Sequence, residues 1–124
     1  MTPLELMKHL VDIVWRGGRM LLGVGPKADG TLPGWQSEIL RGIGRWMQLA
    51  GRWLPDLVAD GELEVEGAWT RLGRAGDSRL LFIDADVPVA IPAGRLLTPE
   101  WASLEDGILT CAEDRPGPAV VELT

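Results

Sequence analysis

The sequence contains very few of the side chains on which metal and nucleophile chemistry depends. Among its 124 residues there are one cysteine, Cys111, and one histidine, His9. A single cysteine excludes an internal disulfide and a cysteine metal cluster, and a single histidine excludes the usual multi-histidine zinc sites. A Ser-His-Asp triad would have to be built on His9 itself. We therefore expect no metal ion and no cofactor in this chain.

Positive charge and long apolar runs are also scarce. The formal net charge is −6, and the arginines are scattered rather than arranged in a stripe. Such a chain repels phosphate, which argues against nucleic-acid binding. No apolar run approaches the roughly 20 residues that a membrane-spanning helix needs, and the first residues lack the basic head and apolar stretch of a signal peptide. We expect a cytoplasmic protein that binds neither nucleic acid nor membrane.

The first half of the sequence predicts a helix, a strand and a second helix. Residues 2–5 form a capping box with proline at the first helical position, and Gly17 ends the helical spacing that follows. Residues 20–24 are nearly all apolar, as in a parallel strand covered on both faces. The second helix is predicted from about Gly34 to Leu49. Its apolar face is predicted to contain Ile39, Ile43, Trp46, Met47 and Ala50, with Gly42 and Gly44 permitting close packing against a sheet.

The second half predicts antiparallel β-structure. After about residue 55, short apolar runs are separated by turn signals at intervals of about ten residues. The predicted strands cover residues 63–65, 69–72, 79–83, 87–91, 108–111 and 119–123. We therefore expect an α+β chain that ends in a small β-sandwich.

Residues 10–33, which read LVDIVWRGGRMLLGVGPKADGTLP, resemble the α-L-fucosidases of glycoside hydrolase family 29. The corresponding family segment reads like LVDVVSKGGNLLLNIGPTADGTIP, and residues 39–46 are similar to the family's RLREIGxWL helix. The strong likeness covers about residues 4–50. It implies that residues 1–54 are a helix–strand–helix piece of a (β/α)8 barrel and that residues 55–124 are the family's C-terminal β-sandwich.

The same comparison implies that the chain cannot hold a complete active site alone. The family's nucleophilic aspartate and acid/base glutamate lie upstream of the segment matched here, so no catalytic residue carries over. Gly23 stands where the family has asparagine, and Arg52 lies where the family continues NGEAIYGT. Both departures argue against a working fucosidase site at these positions.

Two residues are candidates for substrate binding. Asp29 lies in the loop after the predicted strand, where barrel enzymes place their substrate loops, although an aspartate there can also hydrogen-bond its own turn. Trp35 follows that loop and could contact a sugar, or it could belong to a subunit interface. Asp84 and Asp86 could face the same way and replace the missing carboxylates, but a solvated strand end is the simpler interpretation.

Several other residues have structural interpretations. We expect His9 on a helix surface, Cys111 as an inert core thiol and Trp46 in the core. Three alternating glutamates, Glu62, Glu64 and Glu66, are typical of the solvated face of a strand.

Three functional hypotheses remain open. The first is a non-catalytic fucosidase-like protein that forms a homo-oligomer, because the doubly apolar strand needs neighbours that this chain is too short to supply. In the second, the chain completes a split α-L-fucosidase together with a complementary barrel chain that carries the carboxylates. The third is a carbohydrate-binding module that uses the sandwich and exposed tryptophans to hold a fucosylated glycan.

Overall fold

The computed structural model describes residues 2–18 and 34–124, and for residues 34–36 it describes the backbone alone. Two helices, α1 (Pro3–Trp15) and α2 (Gly34–Ala50), precede a 3₁₀ turn (Gly51–Trp53). The strands that follow are β1 (Leu57–Ala59), β2 (Ala68–Ala75), β3 (Ser78–Ala85), β4 (Val89–Ala90), β5 (Gly94–Leu96), β6 (Ala102–Glu105), β7 (Ile108–Cys111) and β8 (Ala119–Leu123). The predicted strand at residues 20–24 lies outside the described residues.

Helix α1 begins and ends at the predicted positions. The Thr2 hydroxyl accepts a hydrogen bond from the Glu5 backbone N–H at 3.1 Å, which satisfies one of the free donors of the first turn. At the other end Gly17 adopts a φ of +85°, a conformation that glycine reaches without strain. Neither helix in the described part of the chain is long and apolar enough to cross a bilayer.

Helix α2 also has its predicted bounds, but its apolar face is narrower than expected. Trp46 and Ala50 are fully buried, whereas Met47 is 38% exposed. The two glycines differ as well. A Cβ on Gly42 would overlap Pro3, so this glycine allows α2 to approach α1 rather than a sheet, and a Cβ on Gly44 would meet no described atom within 4 Å.

The strands form two antiparallel sheets, as predicted for this half of the chain. One sheet has five strands in the order β1-β2-β3-β8-β5, and the other has three in the order β4-β7-β6. Strand β3 lies at the centre of the larger sheet and pairs with both β2 and β8. Its apolar run is buried on both faces, because helices cover one face of the sheet and the smaller sheet covers the other.

Two hydrophobic cores lie on opposite faces of the five-stranded sheet. Leu80 and Phe82 of β3 point towards Met7 of α1 and Trp46 of α2. Leu81 and Ile83, at the alternate positions, point towards Leu109 and the smaller sheet. The helices and the sandwich therefore share one core across the predicted boundary between residues 54 and 55, and that domain boundary itself remains a prediction.

The predicted strand at residues 63–65 is absent from the described sheets. The flanking Gly61 and Gly67 adopt φ values of +89° and +80°, which turn the chain out of a strand at both ends. Leu63 and Val65 nevertheless pack against the second core, so burial of alternate side chains produced a strand-like pattern without strand pairing. The short strands β1, β5 and β6 were not predicted.

Candidate functional site

The two predicted substrate-binding residues are not tested by the structure. Asp29 lies outside the described residues. Trp35 is the second residue of α2, but its side chain lies outside the described part of the structure. Contact of either residue with a sugar stays a prediction.

Asp84 and Asp86 do face the same way, and they meet on one arginine. The Asp84 carboxylate accepts hydrogen bonds from Arg115 Nε and from Lys8 Nζ, the latter at 3.1 Å. The Asp86 carboxylate accepts from an Nη of Arg115 at 2.8 Å. The simpler interpretation of a solvated strand end is correct for Asp86, whose side chain is 94% exposed, and wrong for Asp84, whose side chain is 7% exposed.

This cluster has the character of a structural clamp. Burial by itself lowers the pKa of the Arg115 guanidinium, but hydrogen bonds to Asp84 and Asp86 outweigh it and raise that pKa above its usual value. Arg115 therefore stays charged. The Asp84 carboxylate is paired with two cations, Arg115 and Lys8, and is shielded from solvent. The clamp joins α1, through Lys8, to β3 and to the turn that precedes β8. A sugar could not reach the Asp84 carboxylate for nucleophilic attack.

A groove of about 790 Å³ opens beside β2, between the end of α1 and the segment at residues 61–66. We call it the indole groove. Its lining includes two half-buried tryptophans, two arginines and three exposed glutamates: Trp15, Trp69, Arg16, Arg71, Glu62, Glu64 and Glu66. Aromatic surface is thus combined with hydrogen-bond donors and acceptors, as in many sites for small organic ligands.

Arg71 connects the two indoles of this groove. Its guanidinium carbon lies 4.9 Å from the ring centre of Trp69 and 5.7 Å from that of Trp15, within the range of cation–π attraction. Arg71 Nε donates to Asp12 at 2.7 Å, and one Nη donates to the Thr70 carbonyl at 2.7 Å. Burial alone would raise the pKa of Asp12, but hydrogen bonds from Arg71 and Arg16 hold it below its usual value. Arg71 is therefore fixed in orientation by a charged partner.

The Leu72 carbonyl holds both sides of the groove together. It accepts a hydrogen bond from the Trp15 indole N–H at 2.7 Å and another from the Asp60 backbone N–H at 3.1 Å. The Thr70 hydroxyl donates to the Leu63 carbonyl at 2.6 Å. The end of α1 and the segment at residues 61–66 are thus both hydrogen-bonded to β2, which fixes the two walls of the groove.

The indole groove was missed in the sequence, although two signals for it were present. Trp69 and Arg71 are two residues apart in a predicted strand, which places both on the same face. Trp15 and Asp12 are three apart in a predicted helix and therefore neighbours. The sequence could not show that this helix end lies against this strand.

The remaining candidates occupy the expected environments. His9 is exposed on α1, and the three glutamates are exposed although they are not in a strand. Cys111 is half-buried, and burial raises the pKa of its thiol, which disfavours the reactive thiolate. Within residues 2–18 and 34–124, no three acidic, histidine or cysteine side chains are grouped so that they could hold a metal ion.

Comparison with known proteins relates the chain to the α-L-fucosidases. The α-L-fucosidase family profile matches residues 1–52. The plasma α-L-fucosidases of Rattus norvegicus and Homo sapiens are each 41% identical over 51 residues, which is 41% of this chain and 11% of each of those proteins. Among solved structures, α-L-fucosidase isoenzyme 1 of Paenibacillus thiaminolyticus superposes on 100% of the chain with a TM-score of 0.72 and 25% identity. This chain resembles the C-terminal part of the family 29 α-L-fucosidases, in sequence over residues 1–52 and in fold over its whole length.

A second solved α-fucosidase also superposes on the whole of this chain. The α-fucosidase of Thermotoga maritima, in complex with fucose, superposes on 100% of the chain with a TM-score of 0.69 and 26% identity. This chain covers 34% of the Thermotoga chain and 34% of the Paenibacillus chain. The predicted resemblance and the α+β class are confirmed, and the chain spans about a third of the length of these structures.

Proposed function

We propose that this chain forms the end of the barrel and the β-sandwich of an enzyme that hydrolyses α-L-fucosides. In this proposal the two catalytic carboxylates belong to a barrel portion outside residues 1–124, in the same or another polypeptide. The observation that carries the proposal is the combination of two matches. Residues 1–52 match the family profile, and all 124 residues superpose on a third of a solved fucosidase.

The ion-pair cluster supports a role without catalytic carboxylates of its own. A retaining glycosidase needs two carboxyl groups about 5–5.5 Å apart, one of which attacks the sugar. Asp84 and Asp86 are the pair that sequence spacing suggested, and both are bound to Arg115 with Asp84 buried. Their arrangement stabilises the fold and offers no free nucleophile.

The shared core supports a role in fixing the barrel helices. The indole N–H of Trp46, on α2, donates to the Pro118 carbonyl at 2.8 Å, and the Trp46 ring lies 6.5 Å from that of Phe82 on β3. Burying an aromatic side chain of this size contributes about 2–3 kcal/mol. The sandwich therefore holds α2 in position, and in the proposed enzyme this would support the barrel wall to which α2 belongs.

A chimera tests this proposal. The C-terminal third of the Thermotoga maritima enzyme is replaced by this chain, and nitrophenol release from an aryl α-L-fucoside is measured. We expect turnover by the chimera and none by the Thermotoga portion alone. A matched chimera with Trp46→Ala should lose activity at a lower temperature, because α2 loses its anchor. A folded chimera without turnover would contradict the proposal.

Self-association is a second candidate, and it is favoured by the edge of the larger sheet. Strand β1 is the first strand of that sheet, and Val58 on it is 57% exposed. An edge strand presents unpaired backbone groups that a second chain can extend. Light scattering should then show a dimer that Val58→Lys dissociates and that Val87→Lys, on an equally exposed valine, leaves intact. A monomeric parent chain at micromolar concentration would contradict this candidate.

A further inference from the structure

We infer that the indole groove is a binding site for a neutral oligosaccharide, separate from the site that would cleave the fucoside. The inference rests on the proposed function in one respect, because a glycan that carries fucose is the natural source of such a ligand.

The aromatic wall provides the apolar contact that a pyranose ring needs. Trp15 and Trp69 both lie within cation–π range of Arg71. Each ring also has a second cation near it, Arg16 at 5.8 Å from Trp15 and Lys8 at 5.7 Å from Trp69, so a sugar would contact the parts of the rings that these cations leave uncovered. Both tryptophans are half-buried, and each therefore presents part of its ring to the groove. Partly accessible tryptophans are enriched where a protein contacts partners or ligands, because the ring offers apolar area beside a polar N–H.

The polar groups of the groove suit hydroxyl groups on a neutral ligand. The carboxylates of Glu62, Glu64 and Glu66 are acceptors only, and Arg71 is a donor only. In the described part of the chain, Arg71 uses one N–H in its bond to Asp12 and one in its bond to Thr70, so donors remain among the five of a guanidinium. A sugar hydroxyl both donates and accepts, and it can therefore bond to either group.

The charge balance of the groove disfavours anions. Its three glutamates, its two arginines and the Asp12 carboxylate that pairs with both arginines give a net charge of −2 (−4 + 2). A neutral, hydroxyl-rich molecule avoids the repulsion that an anion would meet. The volume of about 790 Å³ lies in the range of small-molecule sites, about 300–1,000 Å³.

The test is nuclear magnetic resonance of the ¹⁵N-labelled full chain, with 2′-fucosyllactose as the probe. The indole N–H signals of the tryptophans are followed, and that of Trp69 is assigned with Trp69→Phe. We expect a saturable shift of the Trp69 signal in the millimolar range. The signals of Trp46 and Trp101, which are buried elsewhere in the core, should stay unchanged and act as internal references.

Two matched variants locate the binding. Glu64→Gln removes one acceptor charge at an exposed position of the groove and should weaken binding several-fold. Glu105→Gln makes the same change at an exposed position outside it and should have no effect. Trp69→Ala should weaken binding roughly tenfold, the loss expected for one aromatic contact. Because Glu64 is exposed, its variant keeps the test valid even if Trp69→Ala fails to fold.

Several results would overturn the inference. The inference is wrong if the Trp69 signal does not shift up to the solubility limit of the sugar, or if Glu64→Gln binds the sugar as tightly as the parent does. It is also wrong if the anionic 3′-sialyllactose binds more tightly than 2′-fucosyllactose. Shifts confined to tryptophans outside the groove would place the sugar elsewhere and would also overturn it. Hydrolysis is measured on the chimera, whereas sugar binding is measured on the Trp69 signal of this chain, so the failure of the proposed function and the failure of this inference can be told apart.

Discussion

Removal of the Asp84 charge should be among the most destabilising polar changes in this protein. As whole residues, Asp84 is 6% exposed and Arg115 is 8% exposed. Asp84→Asn leaves the Arg115 guanidinium buried, and the exposed Asp86 is then its one remaining carboxylate partner in the described part of the chain. Breaking a buried ion pair by removing one partner costs about 3–5 kcal/mol, because the other charge stays desolvated.

The same arginine supplies the control. Asp86 also contacts Arg115, but its side chain is 94% exposed, and exposed ion pairs contribute about 0–1 kcal/mol. We therefore expect Asp86→Asn to change the free energy of unfolding by less than about 1 kcal/mol. The two variants make the same chemical change and share Arg115 as a partner, so the difference between them measures the effect of burial together with that of the Lys8–Asp84 bond.

The assay is urea unfolding at pH 7, followed by tryptophan fluorescence. With a slope of about 2 kcal/mol per molar urea, the loss in Asp84→Asn corresponds to a midpoint lowered by about 1.5–2.5 M. The double variant Asp84→Asn, Arg115→Met should recover much of the loss, since apolar replacement of a buried pair is often neutral. A loss below about 1 kcal/mol in Asp84→Asn, or equal losses in the two single variants, would refute the reasoning.

Three further predictions use the same unfolding assay or a simple chemical one. Gly44→Ala should stabilise the protein by about 0.5–1 kcal/mol through helix propensity. Gly42→Ala should destabilise it, because the added Cβ overlaps Pro3. A gain in stability in both variants would contradict the close approach of the two helices. The pKa of Asp12 lies below 3.8, so its stabilising effect is present above that pH and is lost as the pH falls further. The difference in unfolding midpoint between the parent and Asp12→Asn should therefore shrink below about pH 3.8, and a difference independent of pH would contradict the assignment. Cys111 should react with a disulfide reagent much more slowly in the folded than in the urea-unfolded chain at pH 8, because burial raises the pKa of its thiol; equal rates would contradict its burial.

Local sequence signals predicted the elements whose limits are fixed locally. The capping box at Thr2, the glycine after α1 and the helical spacing of α2 each act within a few residues, and the bounds of both helices agree with them. Strands β7 and β8 were predicted at their observed positions, Ile108–Cys111 and Ala119–Leu123. The resemblance to fucosidases supplied the family and the order of the two halves.

Long-range contacts account for what the sequence did not predict. Asp84 became a buried clamp because Lys8 and Arg115, which are 76 and 31 residues away, both reach it. The indole groove depends on a bond from Trp15 to Leu72 across 57 residues. The periodicity of a sequence reflects only near neighbours in the chain. It therefore indicated that Asp84 and Asp86 face one way, but it could not indicate the arginine that they face.

The most direct test of the central claim is the activity of the isolated chain. Nitrophenol release from an aryl α-L-fucoside is measured on the purified protein, with its folding and its mass in solution recorded on the same sample. If the catalytic carboxylates lie outside residues 1–124, a folded sample gives no turnover at any oligomeric state. Turnover that follows the protein through purification would contradict the claim and would mean that carboxylates of this chain form a catalytic pair.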